Sequence, residues 1–172
     1  MKPNVYRASE ILRDGRRLEV RALEPQDRDA LVAAAGRSSA ETLALRFFSP
    51  KRGFTEKEIE YYTKVDFVNH VALAAVVDEA GKPLIVGGGR YIVAQPGCAE
   101  VAFTVEDAHQ GRGIASLLLR HLVKIARAAG LKELFAEVLP DNAPMLKVFE
   151  RSGIPMARKR GRDAVHVTLR LD

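Results

Sequence analysis

A single α+β domain, with a mixed, mostly antiparallel central sheet flanked by helices, is the fold class this sequence predicts. Three observations point to it. Apolar runs at 71–77, 83–93 and 99–105 follow one another across short turn-forming segments, the pattern of an antiparallel meander. Directly after Gly113 the apolar period lengthens from that of a strand to that of a helix. The chain has 172 residues, 47% of them hydrophobic and 28% charged, enough for one core and too few for two ordinary domains.

Residues 1–16 lack such a pattern and are expected to form an N-terminal tail, leaving 17–172 as the folded domain. Arg17 to Leu23 alternates Leu18, Val20 and Ala22 with polar residues, which predicts a strand, and Pro25 with Asp27 then opens a helix through Ala35. Ser38 to Phe48 and Thr55 to Lys64 are predicted as two short helices separated by Pro50 and Gly53. The second begins with a capping box of Thr55 and Glu58. In the meander, Asp78-Glu79-Ala80-Gly81-Lys82 joins the first two runs and Gln95-Pro96-Gly97 leads into the third. There Ala99, Val101, Phe103 and Val105 share one face, and Glu100, Ala102 and Thr104 the other. Ile114, Leu117, Leu118, Leu122, Ile125 and Ala129 then follow helical spacing until Gly130 stops the helix. Glu133 to Leu139 reads as a short strand. Pro144 sits near the start of a helix to about Arg151, ended by Gly153, and Val165 to Leu171 alternates as the final strand.

Composition narrows the function. A net charge of +5 suits an anionic ligand, or marks no more than a solvated basic surface. The basic residues are scattered and aromatics make up only 6%, which argues against a nucleic-acid reader. No apolar run approaches the ~18 residues of a membrane span. Lys2 and Arg7 are not followed by an apolar signal segment, so the cytoplasm is the expected location. Cys98, the sole cysteine, excludes an internal disulfide and reads as a small apolar filler rather than a nucleophile. His109 and His121 are too far apart to form a one-face helical metal pair, and no metal is expected. Arg158-Lys159-Arg160-Gly161-Arg162 reads as a solvated basic turn, with contact to substrate or phosphate as its alternative.

The candidate site is the turn Gln110-Gly111-Arg112-Gly113-Ile114-Ala115-Ser116, between a strand and a strongly amphipathic helix. The first four N–H groups of a helix lack internal partners and sit at the positive end of its dipole, so they can hold phosphate oxygens. Gly111 and Gly113, without a Cβ, let the backbone approach a diphosphate closely, and Arg112 can add charge at the rim. Three readings compete. The glycines can serve only a tight connection. They can belong to a Rossmann dinucleotide site, with Gly111-x-Gly113-x-x-Ser116 one residue from its fingerprint and Glu137 at the end of the next strand. That fingerprint, however, follows the first strand of repeated βαβ units, whereas this turn follows a meander.

The third reading is a resemblance. Gln110-x-x-Gly113-x-Ala115, entering a helix from a strand, resembles the acetyl-CoA signature of the GNAT superfamily of N-acetyltransferases, and the element order over residues 17 to 171 is similar to that fold. The resemblance implies acetyl-CoA as cosubstrate. Backbone groups of Phe103, Thr104 and Val105 would pair with its pantetheine arm as an added strand would. Amides of the segment from Gly111 through Arg112, Gly113, Ile114 and Ala115 to Ser116 would hold its diphosphate. Asn142 matches an asparagine that often contacts the pantetheine arm in this superfamily, and is equally placed to cap the helix that contains Pro144. Many members carry a tyrosine as general acid in that helix; its equivalent here is Phe149, which leaves the acid unassigned.

A lysine acceptor of pKa near 10.4 must lose about 3.4 units, roughly 4.6 kcal/mol, to attack as a neutral amine at pH 7, so a base is expected. Ala99-Glu100-Val101-Ala102-Phe103 resembles the strand of histone-type lysine acetyltransferases whose glutamate is the general base, which makes Glu100 the candidate. A strand glutamate is otherwise an ordinary solvated side chain. Upstream, Ser38 to Phe48 with its Arg46-Phe47-Phe48 run, Thr55 to Ile59 and Thr63 to Asp66 resemble bacterial protein lysine acetyltransferases of the Pat type, which act on proteins such as acyl-CoA synthetases and also lack the helix tyrosine. The expected partner is therefore a protein with an exposed lysine. Fusion to a synthetase-like or cyclic-nucleotide-binding domain, common in that group, is not expected in so short a chain. A small-molecule amine acetyltransferase and a non-catalytic CoA-binding module are the alternatives.

Overall fold

The computed structural model describes residues 1–37 and 55–172. Eight strands form one sheet: β1 (Arg7–Ile11), β2 (Arg17–Ala22), β3 (His70–Glu79), β4 (Lys82–Gln95), β5 (Cys98–Val105), β6 (Glu133–Val138), β7 (Met156–Arg160) and β8 (Val165–Arg170), in the order β1-β2-β3-β4-β5-β6-β8-β7. Every neighbouring pair is antiparallel except β5 and β6, which run parallel. Among the described residues four α-helices flank the sheet: α1 (Arg28–Gly36), α2 (Glu56–Thr63), α3 (Ile114–Ala128) and α4 (Ala143–Glu150). No described helix is long and apolar enough to cross a membrane. The predicted helix at Ser38–Phe48 and the Arg46-Phe47-Phe48 run lie outside the described residues.

The meander and the helix after Gly113 form where their periodicity places them. Thr55 and Glu58 make the reciprocal capping box that starts α2. α3 buries Ile114, Leu118, Leu119, Leu122, Ile125 and Ala126 against Leu73, Val101 and Phe103 on one face of the sheet. Each of these leucine and isoleucine side chains contributes about 1.5–3 kcal/mol by burial. Gly89 sets the closeness of that contact: a Cβ there would stand 2.8 Å from Phe103 Cδ1 and 3.1 Å from Leu122 Cδ1. The smaller cluster of Leu23, Ala72, Ala74, Val76 and Ile85 belongs to the opposite face.

Two strands correct the sequence reading. Arg7–Ile11, expected in a tail, is the edge strand β1, joined to β2 by a turn in which the Gly15 amide donates to Leu12 O at 2.9 Å. Its alternation is faint because both faces of an edge strand are solvated; the Asp14-Gly15 pair was the available signal. The basic segment at 158–162 is likewise not all turn. Arg158, Lys159 and Arg160 belong to edge strand β7, and the turn follows it, with the Gly161 amide donating to Ala164 O at 2.8 Å.

Candidate functional site

β5 and β6 part company, and the candidate residues gather about the resulting wedge. Their ladder covers only Cys98, Ala99 and Glu100, paired with Glu133, Leu134 and Phe135. Beyond Glu100 the partner of β6 is β8 alone, while β5 continues to Val105 against β4. Phe103, Thr104 and Val105 thus present one edge of their backbone to the wedge. Unpaired strand edges of this kind accept an extended ligand as an extra strand. Cys98, at the base of β5, is buried, and burial raises its thiol pKa, which suits a filler and not a thiolate nucleophile.

At the open end of β5, residues 107–109 make a 3-10 turn, and Gly111 and Gly113 adopt φ of 79° and 86°, the left-handed region that favours glycine. Gly113 is the N-cap of α3. It offers no side chain to the first-turn amides, and that turn holds no acidic residue. The amides of Ile114, Ala115 and Ser116 therefore face outward without an internal partner, at the positive helix end. Such a terminus fits the diphosphate of a CoA thioester. The side chain of Ile114 is buried in the core, so its contribution there is main-chain only. Gln110 does structural duty: its Nε2 donates to Val105 O at 3.0 Å and pins the turn to the strand. Arg112 pairs with Asp14 at 3.1 Å.

Glu100 is solvent-exposed at the apex of the wedge, the last β5 residue in register with β6, and opposite Ile92 on β4. The same face carries a polar group that sequence reading missed. Arg90 Nη1 lies 2.8 Å from His70 Nε2 and donates to Tyr62 O at 3.1 Å, with its guanidinium 4.6 Å from the centre of the Tyr62 ring. Burial, aided by Arg90 and opposed by Asp66, pushes the His70 imidazole down to about 4, so it is neutral at pH 7.

Beneath the turn, Glu106 is buried and accepts from Arg37 Nε at 2.7 Å, while a second Arg37 nitrogen donates to Ile85 O at 2.9 Å. His109 Nδ1 stands 2.7 Å from the other Glu106 oxygen without hydrogen-bond geometry. This cluster ties the end of α1 to the glycine turn across 69 residues of sequence, a separation no local pattern reveals. The β1–β2 turn also comes to the site, bringing Arg13 against Gly113.

Asn142 caps α4, its Oδ1 accepting from the Met145 amide at 3.3 Å. Phe149 is buried, with its ring 6.2 Å from that of Phe103. It is a core residue at the position where the resemblance would place a tyrosine general acid. Glu137, invoked for a dinucleotide ribose, instead pairs with His166 on the neighbouring strand. The antiparallel neighbours of β5 and β6 are also unlike a doubly wound sheet. Among the described residues no three His, Cys, Asp or Glu side chains gather as a metal ligand set.

Comparison with known proteins agrees with this geometry. Residues 39–154 match the acetyltransferase (GNAT) family. The acetyltransferase Pat of Mycolicibacterium smegmatis is 33% identical over 150 residues, which are 86% of this chain and 44% of that protein, so the chain spans under half the length of this relative. The crystal structure of the GNAT domain of S. lividans PAT superposes with a TM-score of 0.87 at 36% identity, covering 95% of this chain and 96% of that one. A Salmonella typhimurium acetyltransferase solved with its cofactor acetyl-CoA shares the fold, with a TM-score of 0.69 at 19% identity over 90% of this chain and 94% of its own.

Proposed function

The chain belongs to the GNAT acetyltransferase family, and from that membership we propose that it transfers the acetyl group of acetyl-CoA to the side-chain amine of a lysine on another protein, with Glu100 as general base. The observation that carries the proposal is the wedge. An exposed carboxylate at its apex, the unpaired edge of β5 beyond it and the uncapped helix N-terminus after the open end of that strand support the reading. From Val105 back to Glu100 is five residues of extended chain, about 17 Å, which leaves room for a long arm between a phosphate grip and a reacting thioester.

In this reading the amides at 111–116 hold the diphosphate and the edge of Phe103 to Val105 aligns the pantetheine. Glu100, directly or through one water, takes a proton from the incoming ammonium. The neutral amine then attacks the thioester carbonyl, the N–C bond forms, the C–S bond breaks and CoA leaves as its thiolate, which takes up the second proton that the nitrogen sheds on becoming an amide. Strand amides beside the carbonyl polarise it as an oxyanion hole would. Thiolates are good leaving groups, so the buried Phe149 leaves no gap in the mechanism. The likeness to two Pat proteins supports a protein substrate, and the exposure of Glu100 suits a lysine offered from a macromolecular surface. The enzyme would act where acetyl-CoA and such proteins meet, in the cytoplasm.

The test is mass spectrometry of acyl-CoA synthetases incubated with the protein and acetyl-CoA, alongside free amines. Lysine acetylation that falls about 10²–10⁴-fold in Glu100→Gln, with CoA affinity retained, is the expected result. Turnover unchanged in that variant would remove Glu100 as base, and acetylation of free amines alone would move the substrate class.

A further inference from the structure

We propose that Arg13, carried by the N-terminal β1–β2 turn, is a phosphate ligand of the CoA site. The inference rests on the acetyl-CoA reading and adds to it a residue from outside the strand-turn-helix unit. The Arg13 guanidinium lies over the N-cap of α3: its Nε is 3.6 Å, and its Cζ and one terminal nitrogen 3.8 Å, from where a Cβ on Gly113 would stand. Those are ordinary van der Waals distances: the glycine itself is required by the positive φ of the bend, and the guanidinium rests directly on the N-cap. Neighbouring charges isolate it further. Arg112, the arginine of the turn itself, is engaged by Asp14 at 3.1 Å. Arg13 has no carboxylate partner among the described residues, so the uncompensated cation beside the outward-facing amides comes from the hairpin.

Presentation of Arg13 is built into the fold. Leu12 is buried, its amide donates to Arg16 O at 2.8 Å, and the Arg16 amide donates to Asp14 Oδ1 at 3.0 Å, which fixes the turn on either side of Arg13. Further back, Glu10 on β1 holds Arg120 at 2.6 Å and His121 Nε2 at 2.8 Å, and Tyr6 hydrogen-bonds the other nitrogen of that imidazole. These contacts fasten the N-terminal segment to α3 at Arg120 and His121, and the hairpin tip beyond reaches the N-terminus of that helix at Gly113. A guanidinium held there can donate two parallel hydrogen bonds to a phosphate while the amides bind its other oxygens. CoA offers two such groups, the 5′-diphosphate and the 3′-phosphate of its ribose.

Calorimetric titration of wild type, Arg13→Gln and Arg13→Lys with CoA and with dephospho-CoA tests the assignment. Arg13→Gln is expected to bind CoA about tenfold more weakly, and Arg13→Lys to recover part of the loss. Weakening confined to CoA assigns Arg13 to the 3′-phosphate; equal weakening toward both ligands assigns it to the diphosphate. Because Arg13 is exposed and unpaired, melting of the ligand-free variants should match wild type. CoA binding by Arg13→Gln at wild-type strength would overturn the proposal, whereas a wild-type protein that binds no CoA would strike the acetyl-CoA reading itself.

Discussion

The two faces of the sheet are packed by different means. Under α3 and α4 one continuous apolar cluster runs through Leu18, Leu73, Phe103, Leu122, Phe149 and Leu169. On the face of Glu100 the described apolar cluster is Leu23, Ala72, Ala74, Val76 and Ile85. Buried or half-buried charge surrounds it: Asp27 accepts a bidentate pair from Arg21 at 2.8 and 2.9 Å, Arg37 holds Glu106, and Arg90 lies against His70. Burial opposes the ionisation of Asp27, yet the Arg21 fork and the Glu24 amide outweigh it and hold the carboxyl below its ordinary range. One face is thus secured by volume and the other by paired charge, and substitutions on the second should act through electrostatics and pH.

Arg37→Met gives the largest effect expected of this kind. It leaves the Glu106 carboxylate, whose side chain is 5% exposed, without its guanidinium. Breaking such a pair costs about 3 kcal/mol, whereas removing both charges costs far less. Urea unfolding should show that loss in Arg37→Met and recovery of most of it in Arg37→Met/Glu106→Gln. Equal stability of wild type and the single variant would mean that the charged face is no more than a solvated rim.

His70 sharpens the comparison through pH. The unfolded chain takes up a proton as the pH falls through about 6.5, while the folded imidazole stays neutral until about 4. A depressed folded pKa contributes stability that is intact above 6.5 and lost as the pH falls from there to about 4, by up to roughly 3 kcal/mol. His70→Asn cannot titrate. It should start less stable at pH 7.5, having lost its contact with Arg90, yet decline less than wild type between pH 6.5 and 5. Parallel declines of the denaturation midpoint would show that His70 is not the group responsible.

The same division explains what the sequence made legible. Periodicity reports faces that meet an apolar partner, so α3 and the meander could be read from Ile114, Leu118, Leu122, Val101 and Phe103. The turn residues Gly111 and Gly113 were equally legible, because a positive φ selects for glycine. Edge strands β1 and β7 were not, since their pairing is through the backbone and their side chains are mostly solvated. Charged partners were the least readable part of the site. Arg112 and Asp14 are separated by 98 residues and Arg37 and Glu106 by 69, and a pairing across the fold leaves no mark on either residue's neighbours.

Asn142 offers the finest distinction, on the side secured by volume. Its Oδ1 caps α4, a role worth about 1 kcal/mol that serine can also perform and alanine cannot. A pantetheine contact, by contrast, would use the side-chain amide, whose NH₂ donors serine lacks. Asn142→Ala should therefore lower both stability and CoA affinity, while Asn142→Ser should melt with the wild type yet bind CoA about fivefold more weakly. Calorimetric titration beside a thermal melt reads both quantities from one preparation. Wild-type CoA affinity in Asn142→Ser would reduce Asn142 to a helix cap and leave ligand recognition on this side to the backbone of β5 and the turn.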